Sequence, residues 1–165
     1  DKFIASQNQK NIFKRRQKEL NWILKYPWIL EQDHLDKISE KYYFSSVAKK
    51  FDYVNVKFFN TQKKIEGFII YQIRETHLSV QFAVFENSQL EQIAEMTKEL
   101  IKTYEINYFS TFNEILSSYF RRNNTPFLFT KQLQKDFYYA KKFSPYFDKN
   151  PTFAFEAGDG DMIFT

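Results

Sequence analysis

Residues 51–85 hold three runs of alternating apolar and polar side chains, separated by short polar turns. In the first run, "FDYVNVKFFN", Val54, Val56 and Phe58 share one face of a strand, and Tyr53 falls on the other. "TQKK" and "ETH" then divide it from "IEGFIIYQIR" and "LSVQFAVF". Because side chains alternate along a strand, and such short turns join antiparallel neighbours, this region predicts a three-stranded antiparallel meander.

A helical period follows the third run, over residues 88–104. Its buried stripe is predicted to consist of Leu90, Ile93, Ala94, Thr97, Leu100 and Ile101. Ser88 and Glu91 have the spacing of a capping box at its start. "INYFSTF" then predicts a strand over 106–112, and the helix before it supplies the crossover that parallel strands need. We therefore expect two strands to run parallel in an otherwise antiparallel sheet.

The flanking regions complete the expected layout. "NIFKRRQKELNWILKYPW" predicts a first helix that ends near Pro27, and "LDKISEKYYFSSVAKKF" a second one. "NEILSSYFRRN" predicts a short helix, and "FLFTKQLQKDFYYAKKF" a strand pair that turns near residues 131–135. The predicted fold class is α+β in three layers (α/β/α), with a mixed, mostly antiparallel sheet and helices on both faces.

Composition excludes several chemistries. The chain has no cysteine and two histidines, so thiolate nucleophiles, zinc–thiolate sites and histidine-rich metal sites are not expected. No apolar run is long enough to span a membrane and no signal peptide pattern is present, so we expect a cytoplasmic protein without a membrane partner. The chain begins at Asp1 rather than at Met, so we expect that a further region precedes it.

The charge and ring content bear on partners. The net charge is +4, and the basic excess lies in residues 1–60, which favours a solvated face or an anionic partner. No recognised nucleic-acid motif accompanies it, so nucleic acid is not the expected partner. Aromatic residues make up 20% of the chain, and rings left on the surface would favour a homodimer.

The order of elements over residues 51–143 resembles the GNAT acyltransferase fold. The stretches "RRQKELNWILKYPWILE", "KYYFSSVAKKFDY", "NNTPFLF", "KDFYYAKKF" and "GDGDMIFT" are similar to the C-terminal half of bacterial GNAT-like proteins. The resemblance covers nearly the whole chain, and it is one of layout and short stretches rather than of a catalytic signature. It implies a single GNAT-like domain over residues 1–165 that forms the C-terminal part of a longer chain.

In that family, the helix after the third meander strand holds the pyrophosphate of acyl-CoA at its N-terminus. The next strand splays away, and the pantetheine arm lies in the gap. The resemblance therefore implies acetyl-CoA or another acyl-CoA as co-substrate, an amine-bearing acceptor, and no metal. The cofactor-binding residues are then expected to be Phe82, Val84, Asn87, Ser88 and Gln89.

The phosphate loop departs from the family pattern. The family has Gln/Arg-x-x-Gly-x-Gly/Ala here, whereas this chain has "FENSQLEQ", residues 85–92, without glycine. Glycine lets a phosphate approach bare backbone N–H groups at a helix start. Glu86 and Glu91 suit the helix dipole but would repel a pyrophosphate. Two functions stay open: an acyl-CoA-dependent N-acyltransferase, and a non-catalytic GNAT-like domain that binds its upstream region or a partner protein.

The family often uses a tyrosine near the end of the fourth helix, in the form Asn … Tyr-x-x-x-Gly-Phe, to protonate the leaving CoA thiolate. Here Asn113 is followed by Tyr119, one residue closer than usual. Asn123 stands at the glycine position, and Asn tolerates the left-handed conformation that is expected to end the helix there. The resemblance therefore implies Tyr119 as the catalytic general acid, because a phenol with a pKa near 10 can donate to a thiolate. The alternative is a core ring beside Ile115 and Leu116.

Other chemistry-bearing residues are less distinctive. Glu66, Glu75 and His77 lie at the ends of the meander, and no spacing singles one out as a general base. Arg121 and Arg122 suit either a phosphate or the C-terminus of a helix.

The tail, residues 151–165, holds two of the three glycines, in "AGDGD" between two apolar runs. Asp-Gly is a preferred pair in tight hairpin turns, so a hairpin is predicted there. A ligand or amine site, and a calcium site built on Glu156, Asp159 and Asp161, are the alternatives.

Overall fold

A computed structural model of the chain describes residues 15–27, 29–31, 47–123, 126–132 and 140–149. In chain order its helices and strands are α1 (Gln17–Lys25), β1 (Leu30–Glu31), β2 (Val47–Ala48), β3 (Phe51–Phe59), β4 (Ile65–Arg74), β5 (His77–Phe85), α2 (Leu90–Thr103), β6 (Tyr108–Ser110), α3 (Glu114–Arg122) and α4 (Ser144–Lys149). Two 3₁₀ turns, Asn87–Gln89 and Lys141–Phe143, precede α2 and α4.

The main sheet has four strands in the order β3-β4-β5-β6. The first two pairings are antiparallel and the third, β5 with β6, is parallel. This confirms both the predicted meander and the predicted crossover through α2. A separate two-stranded parallel sheet joins β1 to β2.

The two faces of the main sheet bury different clusters. Strand alternation sends Ile69, Tyr71 and Ile73 of β4 to one face, where they pack with Ile93, Ala94 and Leu100 of α2 and with Leu116 and Phe120 of α3. We call this the α2–α3 cluster. Phe68 and Ile70 point to the other face and pack with Leu20 of α1 and with Phe82 and Val84 of β5. We call this the α1 cluster. The described residues therefore form an α+β fold with helices on both faces of the sheet, as predicted.

The buried stripe of α2 lies where the sequence indicated. Ile93, Ala94, Thr97 and Leu100 are buried, and Leu90 and Ile101 are half-buried against the same cluster. A hydrogen bond of 2.8 Å joins the Tyr71 hydroxyl to Thr97 Oγ1. Thr97 donates its own proton to the Ile93 carbonyl at 2.8 Å, so Tyr71 is the donor. This bond fixes the register of α2 along β4, because both partners are fully buried.

The predicted second helix is wrong over its last residues. Residues 47–48 form β2 and residue 51 starts β3, whereas a helix was expected through residue 51. Ala48 and Phe51 pack with Ile29 in a third, smaller cluster, and this burial together with pairing to β1 outweighs the helical pattern. The first helix is shorter than predicted, because it begins at Gln17. Residues 11–14, where the prediction started it, lie outside the described residues.

The predicted strand pair over residues 127–143 is also wrong over the residues that the structure describes there, 127–132 and 140–143. Residues 126–132 form no strand, because Phe127 turns inward to stack on Phe109 with ring centroids 5.6 Å apart. Residues 141–143 form a 3₁₀ turn that leads into α4. Residues 133–139, and the tail over 151–165 with Glu156, Asp159 and Asp161, lie outside the described residues.

Three turns place non-glycine residues in the left-handed region. Lys63, Glu75 and Glu105 have φ values of 60°, 54° and 54°. The side chain of Glu75 also accepts the Lys49 N–H at 2.8 Å, which ties the β4–β5 hairpin to the end of β2. None of these turns has a glycine, although the conformation favours one.

Gly67 is required by a close approach to Phe58, its partner across β3 and β4. A Cβ at this position would lie 3.0 Å from Phe58 Cδ2 and 3.2 Å from Phe58 Cβ. Gly67→Ala should therefore lower the free energy of unfolding by about 1–3 kcal/mol, since the buried Phe58 ring cannot move aside without losing its contacts. Urea denaturation would measure this. In the Phe58→Leu background the same substitution should cost less; equal costs in both backgrounds would exclude the clash as the cause.

The burial of Tyr71 predicts a loss of stability at high pH. Burial raises the pKa of Tyr71 to about 12, partly offset by the Thr97 hydroxyl. In the unfolded chain a tyrosine titrates near 10, so the unfolded state loses this proton first as the pH rises. The free energy of unfolding should then fall by about 3 kcal/mol between the two pKa values. Tyr71→Phe should make the free energy of unfolding fall less steeply with pH, whereas Tyr108→Phe, at an exposed tyrosine, should leave the slope unchanged. Urea denaturation at a series of pH values measures this, and equal slopes for the two variants would contradict the prediction.

Candidate functional site

A fork in the sheet opens where β6 leaves β5. The two strands pair only over residues 77–79 and 108–110, and β5 then continues to Phe85 with no described strand beside it on that edge. The strand β6 ends early because α3 begins. The Asn113 side chain caps α3 by accepting the Leu116 N–H at 3.1 Å, and the Asn113 N–H itself donates to Thr111 Oγ1 at 3.1 Å.

The start of α2 lies at the far end of the same edge. The predicted capping box of Ser88 and Glu91 does not form: α2 begins at Leu90, with Gln89 as its N-cap and no side-chain cap hydrogen bond. The chain leaves β5 through a 3₁₀ turn, in which the Gln89 N–H donates to the Glu86 carbonyl at 2.9 Å. Among the described residues, no acceptor takes the backbone N–H groups of Asn87 and Ser88, both of which are exposed.

Carboxylates surround this helix start. Glu66 accepts hydrogen bonds from Asn60 Nδ2 at 2.7 Å and from Gln89 Nε2 at 3.0 Å, and its carbonyl accepts the Glu86 N–H at 2.8 Å. These bonds hold the 3₁₀ turn against the first residues of β4. Glu86 and Glu91 are exposed on either side of the turn. The local charge is therefore negative, which suits the helix dipole and opposes an anionic ligand.

The predicted cofactor-binding residues fall into two groups. Asn87, Ser88 and Gln89 lie together in the 3₁₀ turn, and the Gln89 side chain is buried with its Oε1 lacking a partner. Phe82 and Val84 are buried in the α1 cluster. Their side chains face the core, so β5 can offer a ligand in the fork only its backbone.

Tyr119 lies on the opposite face from Phe82 and Val84. Its ring is half-buried against the α2–α3 cluster, edge-on to Phe120 with centroids 5.6 Å apart. Nearby on α2, Lys98 Nζ donates a hydrogen bond to Glu95 Oε1 at 2.6 Å, and this bond raises the pKa of Lys98. The predicted general acid packs against the cluster to which α2 contributes, and the 3₁₀ turn leads directly into the start of α2.

The helix that carries Tyr119 ends differently from the prediction. Asn123 is the C-cap of α3, with φ of −114°, and is not left-handed. Both its backbone N–H and its Nδ2 donate to the Tyr119 carbonyl, at 3.0 and 3.1 Å. Because the side chain supplies the second bond, the helix ends without positive φ. Arg121 and Arg122 lie in the last turn, where cations are favourable, and Arg121 also donates to Gln132 Oε1 at 3.3 Å.

The three general-base candidates are held apart. Glu66 is engaged at the helix start, and Glu75 accepts the Lys49 N–H on the opposite end of the meander. His77 is exposed, and its Nε2 lies 2.8 Å from Ser110 Oγ, where it fastens the short parallel pair. Among the described residues, none of the three forms a hydrogen bond with Tyr119.

Sequence reasoning missed a buried polar row at the base of the fork. Gln72 and Gln81 are buried, as is Ser79, which pairs with Gln72 across the two central strands. Gln81 is the extra residue of a β-bulge, because Ile70 pairs with Phe82 and Tyr71 with Val80. The signal was present in "YQIR" and "LSVQF", where polar residues stand in otherwise apolar central strands.

No family model, curated protein or solved structure matches this chain. Within the described ranges, no group of three or more His, Cys, Asp or Glu side chains could hold a metal ion. No helix of the described part is long and apolar enough to cross a bilayer.

Proposed function

We propose that the chain is a GNAT-like domain that binds an acyl-CoA along the β5 edge of the fork and transfers the acyl group to an amine. The observation that carries the proposal is the fork itself. A parallel pair of three residues diverges beside β5, and β5 then continues with no strand alongside it among the described residues. It leads to the exposed residues Asn87 and Ser88, just before a 14-residue helix. Such N–H groups and the positive end of a helix favour phosphate groups.

The proposed acyl transfer requires few catalytic side chains. The acceptor nitrogen attacks the thioester carbonyl, the carbon–sulfur bond breaks, and the nitrogen loses a proton while the CoA sulfur gains one. Tyr119 would donate the proton to the sulfur and regain one from solvent. Its ring is held by packing against the α2–α3 cluster and by the edge-on contact with Phe120. The backbone of β5 would orient the arm of the ligand by hydrogen bonds.

A second candidate is a non-catalytic GNAT-like domain that binds its upstream region or a partner protein. It is favoured by the carboxylates of Glu66, Glu86 and Glu91 around the helix start and by the separation of the base candidates. A loop without glycine also keeps a ligand further from the backbone. The two candidates differ in whether acetyl-CoA binds at all.

Calorimetric titration with acetyl-CoA at low salt tests the proposal, and Glu86→Gln sharpens it. Saturable binding is expected, and removal of this exposed charge beside the 3₁₀ turn should tighten it by about threefold at low salt and less at high salt. Glu99→Gln, an exposed glutamate near the other end of α2, is the matched control and should leave affinity unchanged. Absence of binding by both the parent chain and Glu86→Gln would leave the non-catalytic candidate.

Tyr119→Phe separates catalysis from packing. The phenylalanine keeps the edge-on contact with Phe120, so stability and acetyl-CoA affinity should change little. Turnover of an amine found by screening should fall by about a hundredfold, the contribution of a general acid. Tyr108→Phe, at an exposed tyrosine on β6, should retain activity. Equal turnover by Tyr119→Phe and the parent chain would assign Tyr119 to the core alone.

A further inference from the structure

A histidine and a serine are hydrogen-bonded to each other at the point where β6 leaves β5. His77 Nε2 lies 2.8 Å from Ser110 Oγ. In the tautomer that carries its proton on Nδ1, the imidazole accepts this bond from the Ser110 hydroxyl. A serine hydroxyl is a weak nucleophile until an adjacent base takes its proton, and this distance is the one at which a base does so. The two side chains therefore have the geometry of a nucleophile and its base.

The pairing of β5 with β6 holds both side chains in place. Leu78 and Phe109 pair with each other and pack in the α2–α3 cluster. Because side chains alternate along a strand, the neighbouring His77 and Ser110 both point to the opposite face of the sheet, where they meet. Two N–H groups at the start of β6 donate to the Thr76 carbonyl, at 2.8 and 3.1 Å. The pair thus lies on backbone that is fixed by strand pairing, which suits a reactive site.

The pair is accessible from solvent. His77 is exposed and Ser110 is half-buried. Ser110 is also the last residue of β6, and beyond it β5 continues with no described strand alongside. Ser79, which pairs with Ser110, differs because it is buried and its hydroxyl donates to Gln72 Oε1 at 3.3 Å. Of these two serines at the fork, Ser110 is therefore the one that a small molecule in solution can reach.

We propose that Ser110 is a nucleophile activated by His77, and that the pair hydrolyses small activated esters. Ser110 Oγ attacks the ester carbonyl and passes its proton to His77 Nε2. The bond from the carbonyl carbon to the alcohol oxygen then breaks, and the alcohol leaves with that proton. Water attacks the acyl group on Ser110 while His77 takes a proton from the water. That proton returns to Ser110 Oγ as the carboxylic acid leaves. This activity is separate from the proposed acyl-CoA transfer and does not depend on acyl-CoA binding.

The first test labels the parent chain with a fluorophosphonate, in which the serine oxygen displaces fluoride from phosphorus. Peptide mapping by mass spectrometry is expected to place the label on Ser110. Ser118, a half-buried serine on α3, should stay unlabelled. This comparison needs no variant, so it stays informative if substitutions at the pair disturb the strands. Absence of label on Ser110, or equal labelling of the two serines, would overturn the proposal.

Two substitutions then separate chemistry from a purely structural contact, with p-nitrophenyl acetate as the substrate. Ser110→Ala removes the nucleophile. His77→Gln retains an amide that can hydrogen-bond to the Ser110 hydroxyl but cannot take its proton. Each should lower turnover by about a hundredfold. His77→Gln should also leave the thermal midpoint almost unchanged, and Ser118→Ala is the matched control that should retain full turnover. Equal turnover by His77→Gln and the parent chain would show that the contact only fastens the two strands, and the proposal would be wrong.

Discussion

Burial of β4 and β5 on both faces is the constraint on which the rest of the described structure depends. Nearly every residue of the two strands is buried, which an antiparallel meander alone cannot achieve. The helices α2 and α3 cover one face of the sheet, and α1 covers the other. The Tyr71–Thr97 hydrogen bond then sets the position of α2 by a directional contact, where apolar packing alone would allow it to slide.

The same burial determines where chemistry can occur. Side chains in the middle of the sheet are committed to the core, so Phe82 and Val84 could contact a ligand only through their backbone. Among the described residues, what remains is the backbone of β5 beyond its pairing with β6, amides at the start of α2, and the few polar side chains that the core retains. The candidate acyl-CoA site is built from the first two. It originates at the fork, where the bulge and the departure of β6 occur within a few residues of each other.

The sequence predicted the parts of the fold whose signal is local. The alternation in residues 51–85 and the helical stripe after it were strong enough to place β3, β4, β5 and α2, and the crossover between β5 and β6 followed from their order. The errors lie where tertiary contacts outweigh local pattern. Residues 47–48 pair as one strand and residue 51 begins the next. Phe127 packs on Phe109 in a segment that forms no strand, and a 3₁₀ turn held by Glu66 replaces the predicted capping box. The polar row was missed because a bulge has no sequence signature beyond one extra residue.

Because the chain has few glycines, non-glycine residues occupy its left-handed turn positions, and these positions differ in whether another residue can replace them. Lys63, Glu75 and Glu105 hold a backbone conformation that costs a residue with a Cβ about 1 kcal/mol. At Lys63 and Glu105 the turn is closed by the backbone, through N–H groups that donate to Asn60 and Lys102. Drift toward glycine or asparagine is open at those two positions. Glu75 is bound to Lys49 by its own side chain, so relaxing its backbone would release the end of β2. In a diverging lineage, the turns at Lys63 and Glu105 are free to vary in sequence, while the turn at Glu75 keeps its strained residue.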